Sequence, residues 1–202
     1  MKYLPIYLTL VMVLFGAASA SAQTEPPPPP PPAPDYFPER WKEYVYENDG
    51  VKVRFPAEPK ISSSVTKEPY GEVTTRKYHH QSFVTLDLSV TELPPDVNLE
   101  TLPSKELLEK MKDGGLSEVK ELNPRIVKES DVTVDGYPAK FMQVETGDGK
   151  IVRCKFFVVK NRMYFMSAEV KKGERHGLNY ENDFEKVAMG FLDSIKLLSP
   201  KK

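Results

Sequence analysis

Cysteine is almost missing from this sequence, since Cys154 is the single example among 202 residues. Because a disulfide needs two cysteines, no bridge can form within the chain, and packing alone must hold the fold together. Cys154 falls between Val152 and Phe156 in an alternating apolar segment. We therefore expect its thiol to be buried and inert, and not to act as a nucleophile paired with a distant histidine.

An excess of charge of either sign is also lacking. Lys and Arg together number 28 and Asp and Glu together number 29, which leaves a formal net charge of −1. Proteins that bind nucleic acid usually carry a basic patch, and proteins held on anionic membranes usually carry a polybasic segment. The balanced charge therefore predicts no nucleic-acid partner.

The motifs that most often carry catalysis or hold a cofactor are missing as well. The sequence has no Gly-x-Ser-x-Gly, no phosphate-binding glycine loop, no Cys-x-x-Cys and no His-Glu-x-x-His. His79 and His80 are adjacent, and adjacent strand residues point to opposite faces, so the two imidazoles cannot easily chelate one metal ion. We therefore predict no catalytic residue, no metal site and no cofactor.

The one long apolar run, residues 4–15, is short for a segment that crosses about 30 Å of hydrocarbon. Lys2 precedes the run, and Ala20-Ser21-Ala22 follows it with small residues typical of a cleavage site. Residues 1–22 are therefore predicted to be a signal peptide cleaved after Ala22, with a retained membrane anchor as the alternative. We expect an exported protein, periplasmic or extracellular, with no retained transmembrane helix.

Proline, in contrast, is abundant, and residues 26–32 are all proline. Proline fixes φ near −65° and has no N–H to donate, so this run favours an extended polyproline II helix. We interpret residues 23–38 as a stiff spacer, with a ligand for a proline-binding domain as the alternative. Residues 39–200 then form one domain.

Short alternating segments separated by turn residues predict an α+β domain. The clearest strand spans residues 83–91, where apolar and polar side chains alternate. Pro56, Pro59 and the serines at 62–64 are expected to interrupt the strands. The predicted strands cover residues 41–46, 51–55, 73–80, 83–91, 126–134, 139–145, 151–159 and 162–170.

Two helices complete the predicted domain. The first begins with Ser104 as N-cap and stops at Gly114-Gly115. The second begins near Asn182, with Glu185 completing a capping-box pattern. Its apolar residues recur at helical spacing and should pack on the sheet: Phe184, Val187, Ala188, Phe191, Leu192 and Ile195.

Three residues are candidates for ligand binding. Asp87 lies on the polar face of an otherwise apolar strand, and a helix covering that face would give it a perturbed pKa and make it a candidate for function. A face exposed to water is the interpretation we prefer. Arg175 and His176 lie in a charged loop with two glycines, which either binds an anion or ligand or is simply solvated.

Several short segments resemble a known family of small exported bacterial proteins with the PsbP-like fold. They are residues 51–59 (VKVRFPAEP), 136–139 (GYPA), 159–164 (VKNRMY) and 184–194. The resemblance covers about residues 40–198 and implies a central antiparallel sheet with helices packed on both sides. Members of the family tend to be accessory or binding modules, and not enzymes.

The function that follows is an expectation that combines the resemblance with the sequence. We expect a non-enzymatic accessory module of the cell envelope or secreted fraction that binds a protein partner. The alternative is a small-ligand binder or hydrolase that uses the polar face around Asp87 or the His176 loop. The oligomeric state is left open.

Overall fold

A computed structural model describes residues 38–171 and 180–198 of the chain. The predicted signal peptide, nearly all of the proline spacer, and the candidates Arg175 and His176 lie outside these residues. Within the described ranges, no helix is both long and apolar enough to span a membrane. The elements, in chain order, are β1 (Lys42–Tyr46), β2 (Val51–Phe55), β3 (Lys60–Glu68), β4 (Gly71–Gln81), β5 (Thr85–Glu92), α1 (Ser104–Glu118), β6 (Arg125–Val134), β7 (Tyr137–Glu145), β8 (Lys150–Val159), β9 (Arg162–Lys171), α2 (Tyr180–Leu192) and β10 (Lys196–Leu197).

The strands of the described residues form two antiparallel sheets. Seven strands lie in the order β3-β4-β5-β9-β8-β7-β6, and three lie in the order β1-β2-β10. Five of the six neighbouring strand pairs in the large sheet are hairpins, in which strands consecutive in the chain run antiparallel on either side of a turn or a short loop. In the β8–β9 hairpin, for example, Val159 lies opposite Arg162. The α+β class and the antiparallel sheet are therefore confirmed. The second, smaller sheet was not anticipated from the sequence.

The largest apolar core lies between α2, the small sheet and the large sheet. Phe55 of β2 packs against Phe191 of α2 with ring centroids 5.1 Å apart. Phe157 and Tyr164, from β8 and β9, stack at 4.7 Å in the same core. All six residues of the predicted apolar stripe are buried, but Ile195 lies beyond the end of α2 at Leu192. The five within the helix confirm the face assigned from its periodicity: Phe184, Val187, Ala188, Phe191 and Leu192.

A second apolar cluster lies beneath α1. Leu108 of α1 packs with Met142 of β7 and with Cys154 and Phe156 of β8, and Phe165 of β9 contacts them. In the register, Cys154 lies opposite Ser167 and Phe156 lies opposite Phe165. Cys154, Phe156 and Phe165 therefore share one face of the β8–β9 hairpin.

A buried carboxylate joins the two sheets. Asp49, in the turn between β1 and β2, is fully buried. Its two carboxylate oxygens accept hydrogen bonds from the Arg76 side chain and the Tyr78 hydroxyl, both on β4. The Tyr164 hydroxyl donates to the Asp49 carbonyl at 2.8 Å. A buried charge is tolerated when it is paired in this way.

The serines at 62–64 do not interrupt the strands, so that prediction was wrong. β3 runs through them and pairs with β4 over its full length, from Lys60 opposite His79 to Glu68 opposite Gly71. Eight of its nine residues are exposed. On such an edge strand both faces reach water, so the alternation of apolar and polar residues that marks a half-buried strand is absent.

Both predicted helix boundaries also shift. Ser104 is the first residue of α1 and not its N-cap, and the helix continues past Gly114-Gly115 to Glu118. Glycine costs only about 1 kcal/mol in a helix, and Leu116 beyond it packs against the cluster of Cys154. α2 begins at Tyr180, two residues before the expected cap Asn182.

Candidate functional site

Asp87 is buried, with 9% of its surface exposed, so the preferred expectation of a water-exposed face was wrong at this residue. His79 Nδ1 lies 2.8 Å and Lys77 Nζ lies 3.3 Å from the same carboxylate oxygen of Asp87. Both basic residues belong to β4, and His79 lies directly opposite Asp87 in the register. These cross-strand partners offset the cost of burying the carboxylate.

The neighbours of Asp87 do not form a nucleophilic triad. Across the sheet the register places His79, Asp87, Ser167 and Cys154 side by side in that order. In a triad the imidazole stands between the hydroxyl and the carboxylate, so that it can take the hydroxyl proton. Here the carboxylate stands between the imidazole and Ser167. The arrangement suits an ion pair within the sheet.

Cys154 is 4% exposed, which confirms the expected burial. Burial raises the pKa of its thiol to about 12, although a hydrogen bond with the Met142 backbone acts in the opposite direction. Because the thiolate is the reactive form, a thiol with such a pKa is almost fully protonated at neutral pH and inert.

The two histidines are placed apart, as their adjacency on a strand implies. His79 contacts Asp87, and His80 lies opposite Leu86 in the register. Burial, and then the charge of His79, lower the pKa of His80. No group of three or more metal-ligating side chains occurs among residues 38–171 and 180–198.

A polar cavity of about 270 Å³ lies between strands β6, β7 and β8 and helix α2. We call it the Arg153 cavity, after the one arginine among its lining residues. Three cations and two carboxylates line it: Lys128, Arg153, Lys155, Glu185 and Asp193. One positive charge is therefore in excess.

Arg153 is held in a fixed orientation at this cavity. Its Nε donates to Gln143 Oε1 at 3.2 Å, and its Nη2 forms an ion pair with Glu185 of α2. The guanidinium lies over the Phe184 ring, with Cζ 5.2 Å from the ring centroid. Its remaining nitrogen, Nη1, is enclosed and has no hydrogen-bond partner among the described residues. A buried donor left without a partner costs about 1–3 kcal/mol.

Lys155 lies two residues along the same strand and supports the end of α2. Its Nζ donates to the Leu192 carbonyl at 2.9 Å and to Asp193 Oδ1 at 2.5 Å. The carbonyls at a helix carboxyl end are unpaired and partly negative, so a cation there is favourable. Lys155 is thereby committed to the helix, whereas Arg153 keeps a free donor.

The rest of the cavity wall is mixed. Ser130, Thr133 and Gln143 supply neutral polar groups, and Phe141 and Met189 supply apolar surface. Lys128 lies over the Phe141 ring with its Nζ 5.8 Å from the centroid. A few fixed polar groups set among apolar side chains are typical of sites that bind small molecules.

Sequence reasoning did not single out Arg153. The sequence nevertheless contains an indication of this site. Arg153 and Lys155 lie on the same face of the strand 151–159 as the apolar residue Phe157. A cation on a face that is otherwise covered must find a partner or a cavity. That inference needed the position of α2, which periodicity alone does not give.

A smaller cavity of about 60 Å³ lies under α1 and is lined mainly by apolar side chains, including Met142 and Phe165. Glu118 lies at its rim, and loss of hydration raises the pKa of that carboxyl to about 7. Lys150 and Glu169 also line the cavity and form a salt bridge of 2.8 Å. Because its cations are paired and its wall is apolar, this cavity offers a ligand less recognition chemistry than the Arg153 cavity.

The fold is similar to several solved structures. Cyanobacterial PsbP from Synechocystis sp. PCC 6803 is 11% identical, with 77% of this chain and 91% of that chain covered and a TM-score of 0.48. A Pseudomonas aeruginosa protein of unknown function is 10% identical, with 80% and 98% covered and a TM-score of 0.37. A structure from Bacteroides thetaiotaomicron VPI-5482 is 10% identical, with 81% of this chain and half of that chain covered and a TM-score of 0.33.

The first of these structures carries the name of the family that the sequence resembles, and the likeness concerns the fold alone. No protein-family model matches the chain, and no curated protein sequence matches it at a significant level.

Proposed function

We propose that this protein is an exported, non-enzymatic binding module that holds a small monocarboxylate ligand in the Arg153 cavity. The observation that carries the proposal is the unpartnered Nη1 of Arg153, a buried cation at a cavity of about 270 Å³. Nη1 has almost no accessible surface, so a ligand carboxylate reaches it only if the Arg153 side chain turns toward the cavity on binding. The hydrogen bond formed then would remove the cost of the unsatisfied donor.

The charge of the wall favours a single negative charge on the ligand. Lys128, Arg153 and Lys155 outnumber Glu185 and Asp193 by one. A monocarboxylate neutralises that excess, whereas a doubly charged phosphate would leave a net negative charge in the cavity. Phe141 and Met189 provide the apolar surface for the body of the ligand.

The position of α2 supports the same site. We infer that α1 and α2 cover opposite faces of the large sheet, since α1 packs on Cys154 and Phe156 and α2 packs on Phe157. α2 then forms one wall of the Arg153 cavity, and Glu185 fixes the guanidinium from that wall.

Binding is favoured over catalysis because the two side chains considered as reactive groups, Cys154 and Asp87, are buried or engaged by neighbouring residues. Cys154 is buried with a pKa near 12, and the carboxylate of Asp87 is engaged by His79 and Lys77. Export and a protein partner in the envelope remain predictions from the sequence.

The proposal is tested by calorimetric titration of the purified protein with hexanoate and with hexanamide, which has the same body but no charge. Hexanoate should bind, and hexanamide should bind at least about tenfold more weakly, the ratio that one charge-assisted hydrogen bond supplies. Equal affinities, or no heat with either compound and with shorter and longer carboxylates, would refute the proposal.

Two variants and a matched control locate the site. Arg153→Met should abolish hexanoate binding, and Lys128→Met, at a residue that packs on Phe141 but pairs with no carboxylate in the cavity, should weaken it. Arg125→Met changes a more exposed arginine on β6, paired with Glu145 at 2.9 Å, and should leave binding unchanged. If Arg153→Met does not fold, Lys128→Met still decides the matter, because unaltered binding in that variant places the ligand elsewhere.

A further inference from the structure

The strand β3 leaves one hydrogen-bonding edge open. It pairs with β4 on one side, and no other strand of the described residues pairs with it on the other. The side chains of Ile61 and Val65 are 60% and 59% exposed. An exposed edge of nine residues with apolar side chains is a template for pairing with another strand. The question is which strand fits it.

The sequence of β3 is complementary to itself when it runs antiparallel. With Ser64 placed opposite Ser64 of a second copy, Lys60 comes opposite Glu68 of that copy, and Glu68 comes opposite its Lys60. A two-fold axis perpendicular to the sheet makes both ion pairs at once. Opposite charges directly across a strand pair are stabilising.

The same register gathers the exposed apolar residues. Ile61 and Val65 lie on one face of β3, since they are separated by an even number of residues. Ile61 of one copy then lies diagonally across from Val65 of the other, within reach of side-chain contact. Two copies thus shield four apolar side chains that are exposed in one copy.

Strand registers shifted by two residues from the one centred on Ser64 are less favourable. In a pair related by a two-fold axis the register shifts in steps of two residues, because opposite residues must lie on the same face. A shift of two in one direction places Glu68 opposite Glu58 of the second copy, which sets like charges together. A shift in the other direction places Lys60 opposite Tyr70, outside the strand. Both shifts shorten the paired segment by two residues and lose both ion pairs.

We propose that two copies of this chain associate through β3, antiparallel and centred on Ser64, to make one continuous sheet across a two-fold axis. The partner is a second copy of the same chain because the edge supplies its own opposite charges at matching positions. This pairing uses neither the Arg153 cavity nor any residue of it, so it stands independently of ligand binding.

The experiment is sedimentation equilibrium of the protein purified from cells that express the full chain, with circular dichroism to check the fold of each variant. Wild type should approach twice the monomer mass with rising concentration. Lys60→Glu and Glu68→Lys each place like charges opposite one another twice, and each should raise the dimer dissociation constant by about tenfold or more.

Mixing the two single variants provides the decisive measurement. In a mixed pair, position 60 of the Lys60→Glu chain faces position 68 of the Glu68→Lys chain, and both facing pairs again join opposite charges. An equimolar mixture of the two variants should therefore dimerise about as tightly as wild type, and at least about tenfold more tightly than either variant alone. Lys42→Glu, a charge reversal on the edge strand β1, should not affect the mass. A wild type that stays monomeric at all concentrations would overturn the proposal. So would a dimer indifferent to both single variants, or a mixture that is not restored.

Discussion

Gly190 of α2 lies directly against the ring of Pro38. A β-carbon built on Gly190 would come within 2.3 Å of Pro38 Cγ and 2.4 Å of Pro38 Cβ. Pro38 is buried, and its carbonyl accepts a hydrogen bond from the Trp41 backbone N–H at 3.2 Å. The missing side chain of Gly190 therefore allows the segment before β1 to pack on α2.

Gly190→Ala should destabilise the protein for this reason. Neither a proline ring nor a helix backbone can move aside cheaply, and overpacking of this kind costs about 1–3 kcal/mol. Urea-induced unfolding measures the loss. Gly115→Ala is the matched control, because Gly115 also lies within a helix and a β-carbon there meets nothing within 4 Å. The free energy of unfolding of this control variant should rise by up to about 1 kcal/mol, because alanine has a higher helix propensity than glycine. Similar effects in both variants would contradict the contact with Pro38.

Asp49→Asn should be among the most destabilising conservative changes in the molecule. The substitution removes the charge that pairs with Arg76, and it turns an N–H donor toward a group that already donates. Breaking a buried pair from one side costs about 3–5 kcal/mol. Glu43→Gln, at an exposed pair with Lys52, should cost less than about 1 kcal/mol in the same urea titration. Equal losses would mean that Asp49 is not the joint between the two sheets.

The parts of the fold that could be predicted from sequence are those with one buried face. Apolar residues at helical spacing predict α2, and the five of them that lie within the helix all meet the core. The serines of β3 resemble a break in the strand because both faces of β3 reach water. The glycines of α1 resemble a helix end in the sequence, since local propensity does not include the packing of Leu116 beyond them.

The candidate site was harder to predict, because it depends on residues distant in sequence. Arg153 lies on β8 and Glu185 lies on α2, with the whole of β9 between them in the sequence. The sequence places Arg153 on a half-apolar face, but only the position of α2 turns that face into a cavity wall. Asp87 was found by its pattern, and its partner His79 follows only from the register of β4 with β5.

Glu92 should make the stability of the protein depend on acid pH. Partial burial alone would raise the pKa of Glu92, but hydrogen bonds from Arg162 and Arg76, at 2.8 and 2.7 Å, outweigh it and lower the pKa. A carboxyl whose pKa is lower in the folded state stabilises the protein above its unfolded pKa of about 4.3. That contribution is lost as the pH falls through the folded pKa. The advantage of wild type over Glu92→Gln should therefore be constant near neutral pH and shrink below about pH 5.

Glu118 should show the opposite sign and serves as the matched comparison. Loss of hydration raises the pKa of Glu118 to about 7, so ionising this carboxyl costs more in the folded state than in the unfolded state. Relative to Glu118→Gln, wild type should lose stability as the pH rises from about 4.5 to about 7. Urea titrations of the three proteins across pH 3–8 measure both trends. Parallel pH profiles for all three would contradict both assignments.

Cys154 should react with a thiol reagent only when the native packing opens. Its thiol is 4% exposed, and burial raises its pKa to about 12, against about 8.5 for a free cysteine. At pH 8 the thiolate fraction alone then slows the reaction by roughly three orders of magnitude, before access is considered. Labelling with a chromogenic disulfide in buffer and in denaturing urea compares the two states on the same thiol, because the chain has one cysteine. A rate that rises steeply through the unfolding transition would place Cys154 in the core that moves with global unfolding. Rapid labelling in buffer would instead make Cys154 an accessible nucleophile and would remove the cluster with Leu108 and Phe156 from the core beneath α1.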